Sequence, residues 1–220
     1  MTAFAKTDRN RITRLAKRGH YDRATINHIL DEALVCHVGF VEQHQPYVLP
    51  INFARLGATI VMHGSKTSRL LTHIAAGHPV CVEVTLVDGL VLARSVFHHS
   101  INYRSVVLFG TGHLVEADSD KLAALSAMME QLIPGRWQAA RQPTQQELNA
   151  TSVVAIPIDH ASAKIRRGPP GDDPADAAWP LWAGVLPLQV QALAPVPDTR
   201  MPVDVGVPEY LTNYARNKKD

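Results

Sequence analysis

Cysteine is scarce in this 220-residue chain. There are two, Cys36 and Cys81, and neither sits in a C-x-x-C pair. That excludes a disulfide-stapled scaffold and a thioredoxin-type redox pair. Both cysteines lie in apolar, strand-like runs, which predicts reduced core residues in a cytoplasmic protein. No apolar run approaches the ~18 residues needed to cross a bilayer, and no signal-type apolar segment separates the six cations of residues 1–20. Aromatic residues make up only 6% of the chain and the net charge is only +2. With 46% hydrophobic residues, so small a charge excludes intrinsic disorder. Several motifs are also missing. The chain has no H-E-x-x-H, no zinc-finger Cys/His spacing, no G-x-S-x-G and no G-x-x-x-x-G-K-[ST], so the common signatures of zinc hydrolases, serine hydrolases and P-loop nucleotide binding do not apply.

Histidine, by contrast, is plentiful at eleven residues, which invites a metal or haem reading. The spacing predicts no metal site. His98 and His99 are adjacent, so on a strand they face opposite sides and cannot share an ion. A single axial haem histidine leaves no spacing signature, so haem stays open on this ground. Charge is uneven: residues 1–23 carry +5 and the remainder −3. Residues 1–17 read as a basic arm, solvated and partly disordered. Nucleic-acid binding has little support, because the rest of the chain is net acidic.

From Asp22 onward the pattern is regular. Ile26, Ile29, Leu30 and Ala33 recur at helical spacing after a cap at Asp22 or Thr25. Short apolar, β-branched runs follow at Leu34–Glu42, Tyr47–Ala54 and Thr59–His63, and then a short helix through Leu70, Leu71 and Ile74. Pro79–Val87 predicts a strand, Asp88-Gly89 a hairpin turn, and Leu90–Val96 the return strand. Tyr103–Glu116 predicts a long strand bent at Gly110 and Gly112. A helix capped by Asp118 or Ser119 carries Leu122, Leu125, Met128, Met129 and Leu132. Thr144-x-x-Glu147 is a capping box. The last strands are Thr151–Ile158, Ala163–Arg167 and Leu181–Leu188, followed after Ala194 by four prolines. Many short strands, few helices and no strand–helix alternation predict a mainly β (α+β) fold, an antiparallel β-barrel with peripheral helices. The division is a basic arm over 1–17, one domain over 18–193 and a proline-rich tail over 194–220.

The most informative chemistry is His63-Gly64-Ser65-Lys66-Thr67-Ser68-Arg69, which leads from a strand into a helix. Backbone N–H groups, hydroxyls and two cations there suit a phosphate, set against the reading of a capped helix with solvated basic residues. Asn102-Tyr103-Arg104-Ser105 could add polar ligand contacts. Trp182-Ala183-Gly184 could set a flat ring and exposed backbone against a planar ligand, although a core tryptophan explains it as well.

In chain order, Arg18–Asp22, Pro46–Phe53, His63–Ser65 with Ser68–Leu71, Asp88–Arg94, His98–Ser100 with Asn102–Val106, Ser162–Lys164 and Trp182–Val185 resemble the pyridoxamine 5′-phosphate oxidase-like flavin-binding proteins. The likeness is to the flavin-nucleotide-binding branch related to nitroimidazole-resistance proteins, and it covers residues ~18–190. It implies a split β-barrel homodimer with FMN between the subunits. Pro50, Ile51 and Asn52 would line the isoalloxazine, and His63, Gly64, Ser65, Ser68 and Arg69 would hold ribityl and phosphate. Asn102, Tyr103, Arg104 and Ser105, with Trp182, Ala183 and Gly184, would close the site, from the partner subunit or from the same chain. His98 and His99 are the nearest titratable groups. The family's C-terminal Arg-x-His segment, which grips a vitamin-B6 phosphate, has no counterpart in Trp182–Leu188, so the vitamin-B6 reaction itself is not implied. The expectation is an FMN-dependent oxidoreductase acting on a small substrate or electron donor. The alternatives are a non-enzymatic flavin-binding module and a haem-binding or haem-degrading protein on the same barrel.

Overall fold

The computed structural model describes residues 3–202 and 205–214. Its elements in chain order are β1 (Gly19–His20), α1 (Arg23–Glu32), β2 (Val35–Glu42), β3 (Gln45–Asn52), β4 (Ala54–Leu56), β5 (Thr59–Ser65), α2 (Arg69–Ala75), β6 (Pro79–Leu92), β7 (Ser100–Thr111), β8 (His113–Leu114), α3 (Asp118–Leu132), α4 (Arg136–Ala139), α5 (Gln145–Ala150), β9 (Thr151–Pro157), β10 (His160–Arg166), β11 (Gly184–Pro187) and α6 (Glu209–Thr212). The strands form two antiparallel sheets. One runs β1-β10-β7-β6-β2-β3, with β11 added on β6, and the other runs β4-β5-β9-β8. They do not close on each other, so the barrel is split.

Alternation along the strands sets the layers. Val38, Val82 and Leu108 point from the first sheet toward Ile60, Met62 and Ile156 of the second. Ile26, Ile29 and Leu30 of α1 and Leu71 and Ile74 of α2 plug the gap between the sheets. Each such side chain contributes about 1.5–3 kcal/mol by leaving water. The second sheet is also covered from outside: Val61, Val153 and Ala155 pack on Ala124 and Met128 of α3. β9 is therefore buried without a break from Ser152 to Ile156, which explains why its sequence is apolar at consecutive positions.

Asp22 is the cap of α1, and its carboxylate accepts from the Thr25 N–H at 2.8 Å. That hydrogen bond holds the Asp22 pKa below the usual aspartate value. A depressed carboxylate adds stability above its unfolded pKa of ~4 and loses it as pH falls through the folded value. Asp22→Ala is expected to cost about 1 kcal/mol at pH 7. In urea titrations the gap between the two proteins should close at acid pH.

Three expectations are corrected. Asp88-Gly89 makes no hairpin: β6 runs straight through it, with only a register shift between Val87 and Gly89, and β7 pairs with both halves. The Asp88 carboxylate is engaged by Arg104, and Gly89 lies under β11, where a Cβ would sit 3.0 Å from the Leu186 carbonyl oxygen. The turn comes later, through the 3₁₀ segment Val96–His98. The long strand predicted at Tyr103–Glu116 breaks at Gly112, with β7 in the first sheet and β8 in the second. The described part of the basic arm is not a free leader either, although Lys6, Arg9, Arg11, Arg14 and Lys17 are exposed. Phe4 is 5% exposed, its N–H bonds the Tyr21 carbonyl at 2.8 Å, and the Arg23 guanidinium lies 4.0 Å over its ring. The Asn10 amide donates to the Ala161 carbonyl at 3.1 Å and so satisfies the edge of β10.

Candidate functional site

β3 is an edge strand, which is where Pro46 and Pro50, lacking N–H groups, can be accommodated. Pro50 and Asn52 lie on its exposed face, and the Asn52 amide donates to the Leu34 carbonyl at 3.1 Å. Ile51 turns inward and packs on the barrel core.

His63, Gly64 and Ser65 end β5. By alternation His63 shares with Val61 the face of the second sheet that α3 covers. Its ring is desolvated enough to lower its pKa, which favours the neutral imidazole. The Ser65 hydroxyl meets that of Thr67 at 2.8 Å and accepts from the Thr67 N–H at 3.2 Å. The Ser68 side chain caps α2 by accepting from Leu71 N–H. Arg69 lies 4.6 Å over the Tyr47 ring and 3.2 Å from the Glu42 carboxylate. Tyr47 in turn stacks on Phe40, with 5.3 Å between centroids. Phe40 meets the buried His73 at 4.8 Å, and His73 meets His78 at 4.8 Å. The end of β5, the first turn of α2 and the β2–β3 hairpin thus converge. The donors exposed at that junction are the Ser65 and Thr67 hydroxyls with Lys66 and Arg69. Hydroxyls and cations suit an anionic phosphate.

The other predicted residues lie elsewhere in the chain. Asn102 is buried on β7, donates to the Gly168 carbonyl at 3.2 Å and accepts from Arg166. Arg104 is committed to two carboxylates. It donates to Asp88 at 2.7 Å and to Glu32 at 2.8 Å, with a further Nη1 contact to Glu32. Both pairings hold its pKa above the ordinary arginine value. The Ser105 hydroxyl donates to the Lys164 carbonyl at 3.3 Å, and Tyr103 pairs with Arg166 across the sheet. Trp182 is 65% exposed. Its indole covers Gly184, where a Cβ would come 2.9 Å from the ring. Gly184 pairs with Leu92 and His37 with Glu83, so along β6 the tryptophan lies about 30 Å from the β2–β3 side at ~3.3 Å per residue. His98 lies 3.3 Å from Asp173, and His99 bonds the Ser95 carbonyl at 3.0 Å.

Within one chain the predicted residues therefore form three groups: the β3–β5–α2 junction, the middle of the first sheet, and the distal half of β6. Sequence reasoning passed over Phe40, His73 and His78, which gave no motif. It also passed over a cavity of about 470 Å³ between the second sheet and α3, where Leu56, Val61, Leu114, Ala124 and Ala155 share the lining with the polar Thr59, His113, Glu116 and Asp120. No helix among the described residues is long and apolar enough to cross a membrane, and no group of three or more described His, Cys, Asp or Glu residues could hold a metal ion.

Comparison with known proteins gives a consistent result. The family profile described as pyridoxamine 5′-phosphate oxidase matches residues 22–165. Among solved structures, the flavocytochrome Anf3 from Azotobacter vinelandii is 39% identical, with a TM-score of 0.89 over 95% of this chain and 97% of that one. The FAD and heme binding protein from Mycobacterium smegmatis is 37% identical, with a TM-score of 0.85 over 89% and 96%. A proposed 5-nitroimidazole antibiotic resistance protein from Bacteroides thetaiotaomicron, 22% identical with a TM-score of 0.56 over 66% and 84%, shares the fold. No curated protein matches the chain.

Proposed function

The chain belongs to the pyridoxamine 5′-phosphate oxidase family, and on that premise we propose that it is a flavin- and haem-binding redox protein working as a homodimer. One observation carries this reading. Two relatives above 35% identity match the chain over nearly its whole length, and both are named for a flavin or haem role. The name of the second supports FAD over the FMN that the sequence motifs suggest. A bound flavin supplies hydride or single-electron chemistry and a haem single-electron chemistry, while the protein contributes binding, orientation and electrostatics.

The donor set at the β3–β5–α2 junction fits a flavin phosphate. In this reading Ser65, Ser68 and Arg69 hold the phosphate end, beside His63 and Gly64, and Pro50, Ile51 and Asn52 line the ring. Tyr103, Trp182, Ala183 and Gly184 come from the partner subunit, while Asn102, Arg104 and Ser105, whose polar groups are engaged within the chain, hold their strand in place. A second copy could also cover exposed apolar side chains such as Val48 on β3, 66% exposed, or Phe97, 87% exposed. For haem, the cavity beside α3 sets the imidazole of His113 among Leu56, Val61, Ala124 and Ala155, with Glu116 and Asp120 also on its wall, and His63 lies on the same face of the second sheet. Both cysteines are free, which supports a reducing, cytoplasmic setting. The substrate would be small, reduced or oxidised at the flavin.

Arg69→Ala is expected to weaken flavin binding about tenfold, the loss of one charge-assisted contact. Fluorescence titration measures this, and unchanged affinity would remove the phosphate assignment. Chromatography of the flavin released on denaturation should identify FAD. Release of FMN alone would restore the mononucleotide reading.

A further inference from the structure

Arg166 ends β10 and is 8% exposed, yet no carboxylate pairs with it among the described residues. Its guanidinium donates to the Gly168 carbonyl at 3.1 Å, to the Pro169 carbonyl at 3.1 Å and to the Asn102 amide oxygen. All three acceptors are neutral. A cation this buried without a counter-charge is costly. Its surroundings add positive charge. Gly19 pairs with Lys164 in the β1–β10 ladder, which sets the preceding residue, Arg18, beside the same strand end. Burial and then the repulsion of Arg18 lower the Arg166 pKa, partly offset by Tyr103. Lys164 and Arg166 alternate onto the outward face of β10, and their register partners Ser105 and Tyr103 lie on that face of β7. Arg18 and Lys164 are only half-buried, and neither makes a salt bridge among the described residues.

We propose that Arg18, Lys164 and Arg166, together with the Tyr103 hydroxyl, form a binding site for the phosphate group of a small-molecule ligand. The Arg18 fork and the Lys164 ammonium contact the oxygens of a phosphate or diphosphate, while the Arg166 guanidinium, held on its three neutral acceptors, contributes its charge from behind them. The missing counter-charge is then the ligand's. The phosphate belongs either to the flavin itself, in which case the site rests on the flavin reading above and takes the place given there to Ser65, Ser68 and Arg69, or to a second ligand such as a phosphorylated substrate or electron donor.

The test is isothermal titration of the purified protein, with the flavin it carries, using inorganic pyrophosphate as the probe. It is repeated after removal of the flavin. Binding is expected to weaken at least tenfold in Arg18→Gln and in Lys164→Gln, and to fall as salt rises. Arg141→Gln, which removes an exposed cation paired only with Glu147 on α5, should bind like the parent. Arg18 is the informative position because Arg166 also pins the Gly168–Pro169 backbone, so its loss could unfold the loop. Pyrophosphate that binds only after flavin removal and competes with added flavin assigns the site to the flavin's own phosphate. Binding to the flavin-loaded protein assigns it to a second ligand. The proposal is overturned if pyrophosphate binds neither form, or if it binds both folded Gln variants as tightly as the parent. Because the probe is not a flavin, that failure leaves the flavin reading standing.

Discussion

Arg104→Leu is expected to destabilise the protein by about 3–5 kcal/mol, the range for removing one partner of a buried ion pair. Arg104, Glu32 and Asp88 are all largely shielded, with side chains 13%, 17% and 28% exposed. The arginine joins the C-terminal end of α1 to the irregularity in β6 where the register shifts at Asp88. Leucine removes the guanidinium that both carboxylates share, although His28 remains 3.8 Å from Glu32. The repulsion between the two shielded carboxylates is then no longer screened by the guanidinium. The melting temperature should fall on the order of 10 °C. Arg104→Lys should recover only part of the loss, because an ammonium cannot make parallel fork contacts to two carboxylates at once. A leucine variant as stable as the parent would show that the cluster is a solvated surface feature.

Gly112→Ala is expected to be nearly as damaging, for a different reason. A Cβ at this position would lie 2.4 Å from the Cγ2 of Ile74 and 2.8 Å from the Ala155 carbonyl oxygen. Ile74 belongs to the packed core and the oxygen to the backbone of β9, so neither can move cheaply. The chain passes here from the first sheet to the second, and the close approach of β7–β8 to β9 is what lets one strand serve both. Overpacking a filled core costs about 1–3 kcal/mol, and backbone displacement takes this site to the upper end or beyond. Gly57→Ala is a useful contrast: nothing lies within 4 Å of its Cβ position, and its cost comes from a positive φ of 62° instead. Urea denaturation of the two variants should place Gly112→Ala well below Gly57→Ala in midpoint.

Local signals read correctly where they act over a few residues. The Asp22 cap and the Thr144–Glu147 box are interactions spanning three positions, so sequence spacing is enough to find them, whereas the cap expected from Asp118 or Ser119 is absent, α3 starting after Ala117 with no side-chain cap bond. Strand identity in β2, β5 and β9 followed from apolar and β-branched composition. The misreadings came from contacts made at long range. Asp88-Gly89 has the composition of a tight turn, but Arg104, sixteen residues on, and β11, nearly a hundred residues on, hold it in a continuous strand. Docking of the described part of the basic arm depends on Phe4 and Asn10, single residues in a polar context whose partners, Tyr21 and Ala161, carry no matching signal. The candidate site shows the same division. The Ser65–Arg69 run could be read in sequence because it is contiguous. The surroundings of Arg69, Tyr47 with Glu42, and the unpaired charge of Arg166 appear only when β3, α2 and β10 are placed.

The visible absorption spectrum of the purified protein, before and after reduction with dithionite, tests the central claim most directly. Flavin and haem binding predicts a flavin absorption envelope together with a Soret band, the flavin bleaching and the Soret band shifting on reduction. A protein that is colourless as purified, and that takes up neither flavin nor haemin in titration, would contradict the account.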